Sequence, residues 1–449
     1  MMTEGRPKQI LSQLDVVSII VGIVIGAGIF RLPSLVAANV GVEWAILAVW
    51  VAGGVISLMG ALCFAELVSA HPNTGGEYHF LTLAYGRNVG FMFAWARMTV
   101  VQTGSIAMLS FVLGDYAVQI LPLGTHGSAI YAAGSVVLLT ALNVMGIRET
   151  KGLQNILFAL TMIGVLGVVL TGFFLMGTEG AAASTAIQAE KTLSLSGVGL
   201  AMVFVLLTYG GWNESAYVSA EVAGGRRGMV RPLVLSIAII TAVYLLINIA
   251  YLGVLGVEGM AASRAVGRDV MHKAFGEPGG VAIALVVIVV VLASINVTIL
   301  TGARTNFALG RDFPLFKALA FWHVTTGQPT RALLVQGAIA LLLVGLGALD
   351  RGGVETMIDY MAPVFWFFFL LVGLSLFVLR RREPLHERPF LVPFYPVTPI
   401  FFCLSVLYLL YASLNYTGVG AAVGVSVLAL GLPLLYLARR KESGDRGFK

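Results

Sequence analysis

Long, nearly unbroken apolar runs dominate the chain, and polar positions gather in the short stretches between them. A helix needs about 20 residues to cross the ~30 Å hydrocarbon core of a bilayer. Twelve runs approach or exceed that length, at residues 14–38, 44–69, 89–121, 129–147, 153–177, 197–220, 232–257, 280–303, 331–349, 356–380, 397–414 and 419–438. The pattern predicts an all-α integral membrane protein with twelve transmembrane helices. The third run exceeds one crossing, which predicts a tilted helix or one that continues beyond the membrane.

Composition changes the reading of length. A chain of 449 residues would ordinarily suggest two or three soluble domains. Here 58% of residues are hydrophobic and only 11% are charged, against about 25% charged in a soluble domain. So few charges cannot cover a soluble surface, which argues against a soluble enzyme, a disordered chain or a nucleic-acid module. The net charge of +6 has a topological explanation instead. With the N-terminus inside, 21 of the 28 Lys and Arg fall in inner segments and five in outer ones; Arg31 and Arg97 lie within runs. That bias predicts both termini in the cytoplasm. Cys63 and Cys403 sit inside apolar runs, so buried free thiols are expected. The N-terminus lacks a cleavable signal pattern.

Two of the runs are interrupted. In the first, Gly22, Gly26 and Gly28 occupy positions where each glycine costs a helix about 1 kcal/mol, and Arg31 and Pro33 follow. Close helix packing would account for Gly22 and Gly26 but not for the rest, so a broken helix near Gly26–Gly28 is expected. The sixth run carries Gly210-Gly211-Trp212-Asn213-Glu214 about ten residues in, and an intramembrane carboxylate points to a functional site. Runs one and six are matching members of two five-helix halves, 14–177 and 197–380. Paired interruptions at matching positions indicate a transporter built from inverted repeats. Residues 381–438 would add the last two helices and the loop before them, between terminal tails 1–13 and 439–449. An unwound turn frees amides at one half-helix and carbonyls at the other. The amides of Ala27, Gly28 and Ile29 suit a carboxylate, and carbonyls near Ile23 and Tyr209 suit an ammonium. A zwitterionic amino acid presents both groups.

At these residues the chain resembles the amino acid–polyamine–organocation (APC) superfamily, closest to the L-type amino acid transporter branch and its bacterial relatives. The similarity rests on GIVIGAGIF (22–30), HPNTGGEYHFLTLAYG (71–86), TYGGWNESAYVSAEV (208–222), ILTGARTNFALGRDFP (299–314) and LRRREPLHERPFLVPFYPVTP (379–399). The resemblance implies a LeuT-type fold, with helices 1–5 and 6–10 as inverted repeats, helices 1 and 6 broken, and helices 11–12 accessory. It implies amino-acid transport by alternating access, with a substrate site drawn from Ile23, Ile25, Gly26, Ala27, Gly28, Ile29, Thr103, Leu207, Tyr209, Gly210, Gly211, Trp212, Asn213 and Glu214. Three departures bear on mechanism. Ala27 stands where the branch has a hydroxyl residue, and Leu207 where an aromatic often caps the pocket. Thr161 aligns with a lysine whose ammonium replaces a sodium ion in many relatives.

Two couplings stay open. Na⁺ would use carbonyls at Gly22 and Ile25 with the hydroxyls of Ser294 and Thr298, which are four apart on one helical face. The plainer reading is that those hydroxyls bond to their own helix. Alternatively Glu214, in a low-dielectric cavity, would carry a proton; it could equally pair with a buried cation or select a basic or polyamine substrate. Gln102, Thr103, Ser105, Trp212, Met361 and Trp366 are further lining candidates, against ordinary packing. Asp15, Glu66, Glu221 and Arg231 lie near inner span ends, where pairs with Arg87, Arg97 or Arg304 compete with plain solvation. The six histidines fall at span ends or in loops, with no relay or metal site apparent. No phosphate-cradling GK[ST] loop is present, which argues against ATP-driven transport. The loop between runs three and four lacks the cysteine through which animal relatives attach a glycoprotein subunit, so a stand-alone transporter of a prokaryotic plasma membrane is expected. An enzyme would need clustered reactive groups, and a sensor a soluble output domain; neither is evident.

Overall fold

The computed structural model describes residues 13–71, 73, 76–146, 151–179, 193–213, 230–323, 325–349, 352–415 and 418–446. Among these, regular structure is entirely helical, apart from one isolated bridge between His323 and Gln328. Among the described residues, ten helices are long and apolar enough to cross a membrane. They account for every predicted run except the first and the sixth.

The first run is divided. Helix α1 (Gln13–Val24) stops, a 3₁₀ turn covers Ala27–Phe30, and α2 (Leu32–Val40) resumes with Pro33 in its first turn. Gly26 supplies the joint, with φ −125° and ψ −149°, far from helical values. The next helices are α3 (Glu43–Ala70), α4 (Gly76–Tyr85) and α5 (Arg87–Ala96). A π turn at Arg97–Val101 joins α5 to α6 (Gln102–Ala117). The long third run is therefore a crossing with a π bulge inside it, the kind of local irregularity associated with functional segments. After α7 (Gly127–Val144) and α8 (Lys151–Glu179) comes α9 (Leu195–Thr208), which ends where Tyr209-Gly210-Gly211 begins. Gly211 has φ +112°, open only to glycine without strain.

The remaining helices are α10 (Val230–Ala262), α11 (Val266–Asp312), α12 (Thr330–Ala348), α13 (Gly353–Arg382), α14 (Val397–Asn415), α15 (Val419–Ala429) and α16 (Gly431–Arg446). Two predicted boundaries are corrected here. The run at 280–303 extends to Asp312 and is preceded by a helical segment that turns at Gly276 (φ +65°) just before Pro278. The run at 232–257 continues to Ala262 past a kink at Gly256. In both cases polar residues at the helix ends mask helix that continues beyond the apolar stretch.

Helix α6 runs along α11 and also packs on α7, α12 and α13, which makes it the central post of the bundle. Helix α2 packs on α9 and α10, and α1 on α10. Amide side chains tie the apolar helices together. Gln102 Nε2 donates to Thr298 O at 2.8 Å, Gln336 Nε2 to Ile299 O at 3.0 Å, and Asn143 Nδ2 to Asn296 Oδ1 at 2.6 Å. Such bonds hold helices together where lipid offers no hydrophobic drive.

Candidate functional site

Breaking a helix inside an apolar bundle leaves carbonyls that must find donors, because an unpaired buried one costs about 1–3 kcal/mol. The chain supplies tyrosines. Tyr244 on α10 places its hydroxyl 2.8 Å from Val24 O and 3.0 Å from Thr208 O, the last residues of α1 and α9. One phenol thus bridges the ends of both interrupted helices. Tyr116 on α6 donates to Phe30 O at 2.8 Å, and Tyr251 lies 3.4 Å from Ile29 O. Gly28 abuts the same helix end, since a Cβ there would fall 3.2 Å from Thr208 Cγ2. The two interruptions, almost two hundred residues apart, therefore meet. Tyr209 turns away from this junction and donates to Trp50 O at 3.0 Å, and Tyr244 packs edge to face on both Trp50 and Tyr209.

Of the substrate-site candidates, Ile25, Ala27, Ile29, Thr103, Tyr209, Trp212 and Asn213 are buried. Gly26, Gly28, Leu207, Gly210 and Gly211 are half-buried. Thr103 is completely buried, and its hydroxyl has no hydrogen-bond partner among the described residues. Trp212 packs on Phe64 and Phe369. Asn213 donates to Glu77 Oε1 at 3.0 Å, and Glu77 faces Arg97 at 3.5 Å. That links the sixth-run interruption to the π turn. Beside Gly210, Trp212 and Asn213 lies a cavity of only about 10 Å³, walled by Leu206, Phe365 and Trp366 among others. Such a volume holds one water at most. Glu214 and Glu221 lie outside the described residues, as do the side chains of Asp15 and Ile23.

The coupling candidates are occupied locally. Ser294 donates to Val290 O at 3.1 Å, Thr298 to Ser294 O at 2.8 Å, and Thr161 to Leu157 O at 2.9 Å. Each hydroxyl donates along its own helix, as Ser and Thr commonly do, and keeps its oxygen lone pairs. Gly22, the other half of the expected ion set, lies half-buried on α1 with Ile25 just past its end. Gln102 is held by α11 and does not line the break, while Ser105 bonds Val101 O and approaches Met361 Sδ.

Glu66 follows neither of its two alternatives, a pair with Arg87, Arg97 or Arg304 or plain solvation. Its carboxylate is 1% exposed and takes Arg380 Nε at 2.6 Å, Arg388 Nε at 3.7 Å and the amide of Val392 at 2.7 Å. Its partners come from the far end of α13 and the following loop rather than from Arg87, Arg97 or Arg304, because the fold brings α13 back to the end of α3. Arg87 lies over the Phe313 ring and Arg304 is exposed. Arg31, directly after the first interruption, is buried between Asp115 at 3.4 Å and Glu355 at 2.8 Å.

The tyrosines were missed at the sequence level, although a signal existed. Tyr244 and Tyr251 are seven apart on one face of an apolar run, a polar handle repeated at helical spacing.

The sequence matches the amino acid permease family over residues 11–437, nearly the whole chain. The chain belongs to the amino acid permease family. This permease is similar to the human Asc-type amino acid transporter 1, 30% identical over 96% of this chain and 82% of that protein. It is likewise similar to the human b(0,+)-type amino acid transporter 1, at 28% over 90% and 82%. The rat large neutral amino acids transporter small subunit 2 is 29% identical over 96% and 80%. These relatives are transporters, not enzymes, and the permease is a multi-pass membrane protein.

Proposed function

We propose that this permease carries neutral amino acids across the membrane by alternating access, with the substrate held between the interruptions of α1–α2 and α9. The observation that carries the reading is Tyr244, which joins the carbonyl ends of both broken helices at one point. The substrate carboxylate would sit on the amides of Ala27, Gly28 and Ile29, its ammonium near carbonyls at the ends of α1 and α9, and Thr103 is poised to add its unpartnered hydroxyl. A neutral side chain suits a wall of Leu206, Phe365 and Trp366, and Glu77 is already engaged by Arg97 and Asn213. The small cavity beside Gly210, Trp212 and Asn213 adjoins the second interruption only, and alternating access would open the space between the two breaks.

On this reading the chain has the LeuT-type plan of two five-helix inverted repeats. The two interrupted helices complete a set of twelve crossings, with both termini cytoplasmic in a plasma membrane. One relative is named a small subunit. This chain offers a covalent partner no cysteine, since Cys63 and Cys403 are both buried, so we read it as working without a disulfide-linked companion. The test is uptake of radiolabelled leucine into proteoliposomes under separately imposed Na⁺ and pH gradients. Uptake above empty liposomes is expected, and the gradient that drives it names the coupling ion. Uptake of polyamines with no uptake of any amino acid would overturn the reading.

A further inference from the structure

His71 caps the end of α3, while Glu383 caps the end of α13 and His386 follows one turn later. In sequence the histidines are more than three hundred positions apart; in the fold their rings stack, with centroids 4.5 Å apart and planes 14° from parallel. Glu383 Oε2 lies 3.6 Å from His71 Nε2 and 3.7 Å from His386 Nδ1. One ligand atom from each residue falls within 4.8 Å of the others.

The hydrogen bonds fix which atoms carry lone pairs. His386 Nε2 lies 2.8 Å from Ala70 O. A carbonyl only accepts, so Nε2 bears the proton and Nδ1 of the neutral ring presents a lone pair. That lone pair faces a carboxylate oxygen, which is itself only an acceptor. Two acceptors turned toward each other, with a second imidazole nitrogen beside them, form an arrangement that a cation completes. His71 is buried, at 8% exposure, beside Glu383. The other charged or titratable groups acting on it are His386, His79 and Arg388.

We propose that His71, Glu383 and His386 form a binding site for a divalent transition-metal ion of the Zn²⁺ type, with a fourth position open to water. Two imidazoles and a carboxylate are a zinc-type donor set. A tetrahedral site with bonds of ~2.0–2.1 Å has ligand edges of about 3.4 Å, close to the 3.6 and 3.7 Å found. The outer support is present as well. The Ala70 carbonyl fixes which His386 nitrogen carries the proton in the metal-free arrangement, and Arg388 holds the loop through the carbonyls of Glu383 and His386 at 2.9 and 3.1 Å. Outer partners of this kind set ligand orientation in metal sites. Because the rings are near-parallel, both lone pairs reach one ion only if a ring turns, and the surface-facing His386, 37% exposed, has room to do so. Metal binding would tie the end of α3 to the loop between α13 and α14.

The site stands on its own ligands and is independent of the transport reading, so its test uses no transport. Full-length protein without a polyhistidine tag, purified in detergent, is titrated with Co²⁺ as an optical probe and then with Zn²⁺. One Co²⁺ per chain is expected, with the visible bands of a four-coordinate ion, displaced by Zn²⁺. Removing an outer partner costs metal sites about 10–100-fold in affinity, so the ligand variants His71→Ala, His386→Ala and Glu383→Gln should lose at least that much. His272→Ala, which removes the exposed His272–Glu277 pair at 3.2 Å, should bind as the parent does. Gel filtration and circular dichroism establish that each variant is folded. Absence of stoichiometric binding in the parent, or binding that survives in folded His71→Ala/His386→Ala protein, overturns the proposal.

Discussion

Tyr244 does at residue scale what the interrupted helices require. Its buried hydroxyl lies within hydrogen-bond reach of both Val24 O and Thr208 O. Tyr244→Phe keeps the ring packing against Trp50 and Tyr209 and removes only that donor. Val24 O keeps the Gly26 amide at 2.9 Å, so the loss falls on Thr208 O. An unserved buried carbonyl costs about 1–3 kcal/mol, and initial leucine uptake in proteoliposomes should fall at least about tenfold at equal reconstituted protein. Tyr408→Phe serves as the control, since that exposed hydroxyl contacts Leu195 O at 3.3 Å, away from the junction. Unchanged uptake in Tyr244→Phe would remove the bridge from the mechanism. Gly211, one of the residues that read most clearly in the sequence, is where the backbone itself demands glycine, and Gly26 marks where the first helix breaks. Tyr244, Thr103 and Glu77 were harder to weigh, because a polar atom on an apolar helix becomes informative only when its partner, or lack of one, is known.

At the scale of elements, interruptions rather than lengths distinguish the helices. Among the described residues ten runs form long helices, while α1 stops at Val24 and α9 at Thr208, each two residues before a glycine. Propensity explains why the break falls where it does, since Gly and Pro are the residues a helix interior tolerates least. What it cannot supply is the neighbour. Gly53 on α3 sits where a Cβ would fall 2.4 Å from Val205 Cγ1 and 3.1 Å from the Tyr209 ring, so α3 and α9 approach through that missing side chain. Gly53→Val should push α9 away and cost about 1–3 kcal/mol by overpacking. The expected readouts are a lower thermal midpoint in detergent and reduced uptake, whereas Gly134→Val, with open space around its Cβ position, should change neither. Equal thermal midpoints for the two variants would contradict this packing. The Arg97–Val101 π turn had no sequence signal at all, because a one-residue change in hydrogen-bond register leaves composition and hydropathy untouched.

For the whole molecule, orientation is the testable consequence of charge. If both termini are cytoplasmic, the loop between α6 and α7 lies outside and the loop between α13 and α14 inside. Because Cys63 and Cys403 are buried, single cysteines introduced at exposed positions report cleanly. A membrane-impermeant maleimide applied to intact cells should label Leu123→Cys and spare Leu385→Cys until the membrane is opened; both positions are exposed. The opposite pattern would reverse the topology. Membrane class, most of the crossings and the two interruptions were legible because they depend on local composition: hydrocarbon excludes charge, and a helix interior excludes Gly, Pro and unpaired polar groups. The part of Tyr244 in joining α1 to α9, the partners of Glu66 and Arg31, and the convergence of His71, Glu383 and His386 were not legible. Each joins residues from distant segments, and the energy that selects such pairs arises only when packing brings them out of water together.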